Sequence, residues 1–163
     1  MHLLNTQQID HKIKRLAMEV LERNTDENEL FVIGLNNKGR ELAQRIRTEL
    51  LTLATSPIHL SVIRLNPAAP LDSPIELEID PKLLAGKAVL LVDDVANTGR
   101  SLFFALQPLM KAIPGKVEIA VLVDRKHKNF PVRVDYVGLE LATTFLDNIE
   151  VSFGPAGDSV VLN

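Results

Sequence analysis

The chain has 163 residues, a formal net charge of −3, one tyrosine, and neither cysteine nor tryptophan. That length suits one domain that buries roughly 70% of its unfolded surface without staples, and the missing thiols exclude disulfides, thiolate metal sites and a cysteine nucleophile. The mildly acidic balance argues against a broadly basic nucleic-acid surface or an aromatic platform for single strands, so any RNA contact has to come from a local patch.

Met1 to Asn5 turns polar too soon for a signal peptide, and no apolar run approaches the ~20 residues of a membrane helix. A cytoplasmic chain with no membrane contact is therefore expected. Asn5 to Asn24 predicts an amphipathic helix, since Ile9, Ile13, Leu16, Ala17, Val20 and Leu21 recur at helical spacing and Asn5 or Thr6 can cap the start. Leu30 to Ile33 predicts a buried strand ending at Gly34, Gly39 to Leu53 a second helix, and Ile58 to Leu65 a strand. Asn66 to Gly86 carries Pro67, Pro70, Pro74 and Pro81 among acids, which blocks regular hydrogen bonding and predicts a flap, with a strand at Ile75 to Ile79 inside it. Beyond it, Val89 to Val92 predicts an apolar strand and Gly99 to Ala112 a helix. Val117 to Val123, Val134 to Val137 and Ile149 to Phe153 predict further strands. Continuous apolar strands alternating with helices imply an α/β fold, a central parallel sheet with helices on both faces. Residues 1–163 read as a single domain, with 66–86 as its excursion.

Val89 to Ser101 is the segment that carries chemistry. Four apolar residues lead into Asp93 and Asp94, and a short polar loop, Asn97-Thr98-Gly99-Arg100-Ser101, opens the next helix. In an open parallel sheet, ligands sit beyond the carboxyl ends of the strands. Two carboxylates there require sugar hydroxyls, a divalent cation, or both, because a buried unpaired charge is costly. The loop supplies backbone N–H groups, the hydroxyls of Thr98 and Ser101, and a helix N-terminus, which together suit a phosphate. Gly99 allows the close approach. An acid pair a few residues before such a cradle is spaced for a ribose bearing a 5′-phosphate. An Asp-Asp pair alone would read as a solvated turn. No Walker A sequence and no Gly-x-Gly-x-x-Gly turn is present. The four histidines show no metal-ligand spacing.

This strand, acid pair and cradle resemble the phosphoribosyl pyrophosphate signature of the type I phosphoribosyltransferases. Within them, the chain is similar to the bifunctional pyrimidine-operon attenuation regulator and uracil phosphoribosyltransferase family. Three further segments carry that match: Asp10 to Arg15 with Glu22 to Asn24, Ile33 to Gly39, and Ala120 to His127 with Val132 to Gly138. The resemblance implies a fold with a flap or hood. It places Asp93 and Asp94 on the ribose hydroxyls with Mg²⁺ alongside, and Asn97, Thr98, Gly99, Arg100 and Ser101 around the 5′-phosphate. Asn36, Asn37, Lys38 and Gly39 would face the pyrophosphate, where Lys38 replaces the family's usual arginine and keeps the charge without the fork. The base side would be built near Leu141 to Thr144 and the turn Asp124 to Lys126, although Asp124-Arg125 reads equally as a local ion pair. One departure stands out. Arg64-Leu65-Asn66-Pro67 occupies the place of an aromatic-basic-acid-acid motif at the flap root.

The implied reaction is displacement of pyrophosphate from the anomeric carbon of phosphoribosyl pyrophosphate by a ring nitrogen of a nucleobase, with uracil as the base. Charge neutralisation by Mg²⁺ and Lys38 would serve it, and no nucleophilic side chain is needed. The alternative is an attenuation regulator that senses nucleotide and binds RNA. Its basic clusters would be His11, Lys12, Lys14 and Arg15, and Arg125, Lys126, His127, Lys128 and Arg133. The resemblance also implies a homo-oligomer.

Overall fold

The computed structural model describes residues 1–144 and 146–163. Its main sheet has six strands: β2 (Leu30–Leu35), β3 (Ile58–Arg64), β4 (Glu76–Leu77), β5 (Ala88–Ala96), β6 (Lys116–Arg125) and β7 (Tyr136–Leu141), in the order β4-β3-β2-β5-β6-β7. All neighbours are parallel except β4, which runs antiparallel to β3. The helices are α1 (Thr6–Arg23), α2 (Asn36–Leu53) and α3 (Arg100–Leu109). Strand alternation divides the core. Leu30, Val32, Leu90, Val92 and Leu122 pack with α1 and α2, whereas Phe31, Ile33, Val89, Leu91 and Val121 pack with α3. Helices on both faces explain why β2 is buried along its whole length.

Local chemistry sets the helix ends. Asn5 caps α1 through a reciprocal pair with Gln8, each bond 2.9 Å. The second helix begins at Asn36, three residues before the predicted Gly39, so the Asn36–Lys38 segment is its first turn and not a free loop. Two glycines allow that start. A Cβ on Gly34 would lie 2.4 Å from Arg40 Cα, and one on Gly39 would lie 2.7 Å from the Val92 carbonyl oxygen. Both positions bring backbone against backbone, where a methyl group has no room.

Several expectations change. The strand predicted at Val134 to Val137 begins at Tyr136 and runs to Leu141, because Val132 and Val134 pack in the core cluster on the α3 side before the strand starts. The proline-rich stretch is not all excursion. Ile75 and Leu84 are buried, Glu76 and Leu77 pair with Arg64 and Ile63, and Pro81–Leu84 forms a single 3₁₀ turn. The predicted Ile75 to Ile79 strand is thereby reduced to two residues. The strand predicted at Ile149 to Phe153, observed as β8 (Ile149–Ser152), lies outside the parallel sheet. It joins β1 (His2–Asn5) and β9 (Ser159–Leu162) in a small antiparallel sheet, ordered β1-β9-β8. Neither β1 nor β9 was expected, since each is four residues long and they pair with each other across more than 150 residues of sequence, β9 pairing also with β8. A bidentate ion pair from Arg45 of α2 to the buried Asp158 fastens this second sheet to the body, with the Arg45 guanidinium 4.7 Å over the Phe153 ring.

Candidate active site

β5 does not end at Val92 as predicted. Pairing with β6 continues through Asp93↔Val121, Val95↔Val123 and Ala96↔Asp124, so the two acids belong to the strand itself. Strand geometry therefore gives them a defined position beyond the body of the sheet. Asp93 Oδ1 accepts the Asp94 backbone N–H at 2.9 Å and lies 3.4 Å from where a Cβ on Gly39 would stand. Asp93 is thus packed under the first turn of α2. Burial first, and then the neighbouring Asp94 charge, push its carboxyl well above the ordinary aspartate range.

After Ala96 the chain turns over Asn97 and Thr98 to Gly99, the N-cap of α3, whose φ of 85° favours glycine. The Thr98 carbonyl accepts N–H groups from Asn129 at 2.9 Å and Phe130 at 3.2 Å, which hold the turn from the far side. A cavity of about 200 Å³ is lined by Asp93, Asn97, Thr98, Gly99, Arg100 and Ser101, among others. A second, of about 390 Å³, is lined by Asn36, Asn37, Lys38, Asp94 and Ile149. The two share Pro67, Asp93, Val95, Asn97 and Ser101, so they form one cleft.

The geometry gathers ten of the eleven expected residues around this cleft. Gly39 is the exception, buried beneath it as a spacer that lets α2 approach Val92 and Asp93. Arg100 lines the cleft, but its guanidinium donates to the Pro67 carbonyl at 2.6 Å and so ties the start of the proline-rich stretch to α3. Asn36 adopts a positive φ of 55°, and its Oδ1 accepts the Leu65 N–H at 3.0 Å. Asn37 Oδ1 accepts from Arg64 at 3.0 Å, which links the same turn to the end of β3. Leu35, Pro67, Val95, Ala96, Leu102 and Ile149 also line the cleft without having been named as site residues, although Val95 and Ala96 lie inside the Val89 to Ser101 segment and Pro67 at the start of the proline-rich stretch.

On the other flank, the end of β7 meets the turn after β6. Arg125 donates to Thr143 Oγ1 and the Thr144 carbonyl at 2.7 Å each, and to Asn97 Oδ1 at 3.2 Å. Asp124 pairs with Lys128, not with Arg125. Among the described residues no cluster of three or more His, Cys, Asp or Glu could hold a metal ion. Asp93 and Asp94 still fit a divalent cation of the kind that keeps several waters and shares substrate oxygens, because such an ion needs only one or two carboxylates. It would also offset the burial and, after it, the Asp94 repulsion that raise Asp93.

An acid pair within a strand, a glycine-capped turn opening α3 and a lysine-bearing helix start around one cleft agree with the comparisons to known proteins. The phosphoribosyl transferase domain family matches residues 2–158. The chain belongs to the phosphoribosyltransferase family. The Bifunctional protein PyrR of Fusobacterium nucleatum is 32% identical over 156 residues, spanning 91% of this chain and 88% of that one. That of Streptococcus equi subsp. zooepidemicus is 37% identical over 144 residues, or 85% and 82%. Among solved structures, a Trypanosoma cruzi hypoxanthine phosphoribosyltransferase shares the fold at a TM-score of 0.79 and 18% identity, over 99% of this chain and 83% of its own. A Bacillus anthracis hypoxanthine-guanine phosphoribosyltransferase does so at 0.72 and 19%, over 88% and 84%. As a phosphoribosyltransferase, the chain transfers a 5-phosphoribosyl group from phosphoribosyl pyrophosphate to a nucleobase and releases pyrophosphate.

Proposed function

We propose that the nucleobase is uracil and that the reaction uses Mg²⁺ bound near Asp93 and Asp94. The observation that carries the reading is the single cleft, in which acids, phosphate cradle and α2 start line one ligand path. Relatives covering 85–92% of the chain, one of them named Pyrimidine operon regulatory protein, support a pyrimidine over a purine.

In this reading the backbone N–H groups and hydroxyls of Asn97 to Ser101 bind the 5′-phosphate. Asp93 and Asp94 orient the ribose and face the sugar as positive charge builds at the anomeric carbon. Bound Mg²⁺ supplies charge neutralisation for the departing pyrophosphate. Lys38 and the first N–H groups of α2 meet that same group from the protein side. Backbone of Leu141 to Thr144 and the Asp124–Lys126 turn border the base, and Pro67 closes the cleft from the flap.

The test is UMP formation from uracil, phosphoribosyl pyrophosphate and Mg²⁺. Wild-type protein forms UMP, and Asp94→Asn loses activity by about 10²-fold or more, the scale of one lost electrostatic contact in a transition state. No UMP, together with IMP or GMP from purine bases, overturns uracil.

A regulatory second role draws on the Lactococcus lactis relative named Pyrimidine operon regulatory protein, 34% identical over 157 residues. RNA would be its partner. Its basic clusters are partly engaged within the protein. Lys12 and Arg15 donate to the Gly138 carbonyl at 3.0 and 2.9 Å, and Arg133 pairs with Asp135 at 3.0 Å. Salt-dependent binding of pyrimidine-operon leader RNA tests this role, and affinity that does not change with salt counts against it. Assembly as a homo-oligomer and a cytoplasmic location complete the proposal, and light scattering decides the first.

A further inference from the structure

The cradle follows β5 and the base-side segment follows β7, and β6 lies between them. A nucleotide has to touch both flanks, so their separation sets how well base and phosphate are bound together. Arg125, the last residue of β6, spans that gap with one side chain. Its Nε donates to Thr143 Oγ1 at 2.7 Å and its Nη2 to the Thr144 carbonyl at 2.7 Å. On the opposite side, Nη1 donates to Asn97 Oδ1 at 3.2 Å. Residues 142–144 have left the sheet and are in no helix or strand. Asp147 adds a second hold, accepting the Thr144 N–H and hydroxyl at 2.8 Å each. Those bonds first, and the Arg125 charge after them, keep the Asp147 carboxyl below the ordinary range. The guanidinium is planar, always charged and fork-shaped, so its three separate nitrogens hold three acceptors at once, which a lysine's single nitrogen does less well. Arg125 is not among the residues lining either part of the cleft.

We propose that Arg125 is a positioning residue that anchors the base-side segment Thr143–Thr144 to the phosphate loop, so that nucleobase affinity depends on it while phosphate affinity does not. This rests on the reading of the cleft as a nucleotide site. The cradle itself is held independently, by the bonds of Asn129 and Phe130 to Thr98 and by the start of α3.

The experiment compares wild type, Arg125→Lys and Arg125→Met in the full chain, with calorimetric Kd values for UMP and ribose 5-phosphate and steady-state KM values for uracil and phosphoribosyl pyrophosphate. In Arg125→Met, UMP affinity falls about tenfold and KM for uracil rises alike, while ribose 5-phosphate and phosphoribosyl pyrophosphate stay within about twofold. Arg125→Lys falls between. Adding Thr143→Val to Arg125→Met causes little further loss, because both act on one contact. Equal losses for UMP and ribose 5-phosphate, or none, overturn the inference. Wild type that binds ribose 5-phosphate but not UMP overturns uracil alone, and IMP then replaces UMP in the same comparison. Wild type that binds neither overturns both readings.

Discussion

Asp93 is half-buried beside Asp94 and carries a carboxyl whose proton is held more tightly than in the unfolded chain. The sign follows from linkage. The folded state binds that proton more strongly, so the empty protein loses stability as pH rises from the ordinary aspartate range through the raised value. Asp93→Asn removes the penalty. Its melting temperature at neutral pH exceeds that of the wild type in the absence of ligand and metal, and its stability curve is flatter across that window. Scanning calorimetry from acid to neutral pH checks this, and a lower melting temperature for the variant sinks it. Lys38 tests the opposite charge. Lys38→Met lowers kcat/KM by about 10²-fold, the scale of one lost contact to a developing anion, while Lys38→Arg retains most of it. Steady-state kinetics on the three proteins decides. That both acids and Lys38 meet at one cleft was legible in the sequence, because side-chain type and short spacing are local properties of the chain. The engagement of Arg100 with Pro67 was not, since it joins residues 33 positions apart.

At the scale of elements, the junction between α2 and β5 controls the site. Gly39 seats the helix start within van der Waals reach of Val92 and Asp93. Gly39→Ala inserts a methyl group 2.7 Å from the Val92 carbonyl oxygen. The expected cost is about 1–3 kcal/mol of stability, as for overpacking elsewhere, with a loss of activity because Asn36 to Lys38 shift with the helix. A urea midpoint equal to that of the wild type would refute this. The family resemblance placed Gly39 at the pyrophosphate, and in the fold its missing Cβ lets α2 pack against Val92 and Asp93. Helix periodicity also placed the start of α2 too late. Asn36 holds a positive φ that its side-chain bond to Leu65 supports, and nothing local in the sequence announces that bond. β5 was cut short for a related reason. Asp93 and Asp94 look like strand breakers, yet backbone pairing with β6 carries the strand past them.

Across the whole molecule, the small sheet of β1, β8 and β9 is bound to the body through the Arg45–Asp158 pair, with Thr6 closing on Asp158 at 2.9 Å. Asp158→Ala leaves a partly buried guanidinium without its main partner. A loss of about 2–3 kcal/mol is expected, below the range for a wholly buried pair because Arg45 retains some exposure. Faster hydrogen exchange confined to β8 and β9 is the matching signature, and unchanged exchange there refutes the link. That sheet delivers Ile149 to the cleft, a contribution absent from any reading of the chain in order. The sequence by itself determined the α/β class, the parallel core and the segments bearing the acids, cradle and cation, because apolar periodicity and motif spacing are local properties of the chain. Only the tertiary structure decided that the terminal strands form a separate sheet, that the proline-rich stretch is partly packed against the body, and that Arg125 bridges the two flanks. Each of these depends on contacts between residues far apart in sequence, whose geometry exists only after the core has assembled.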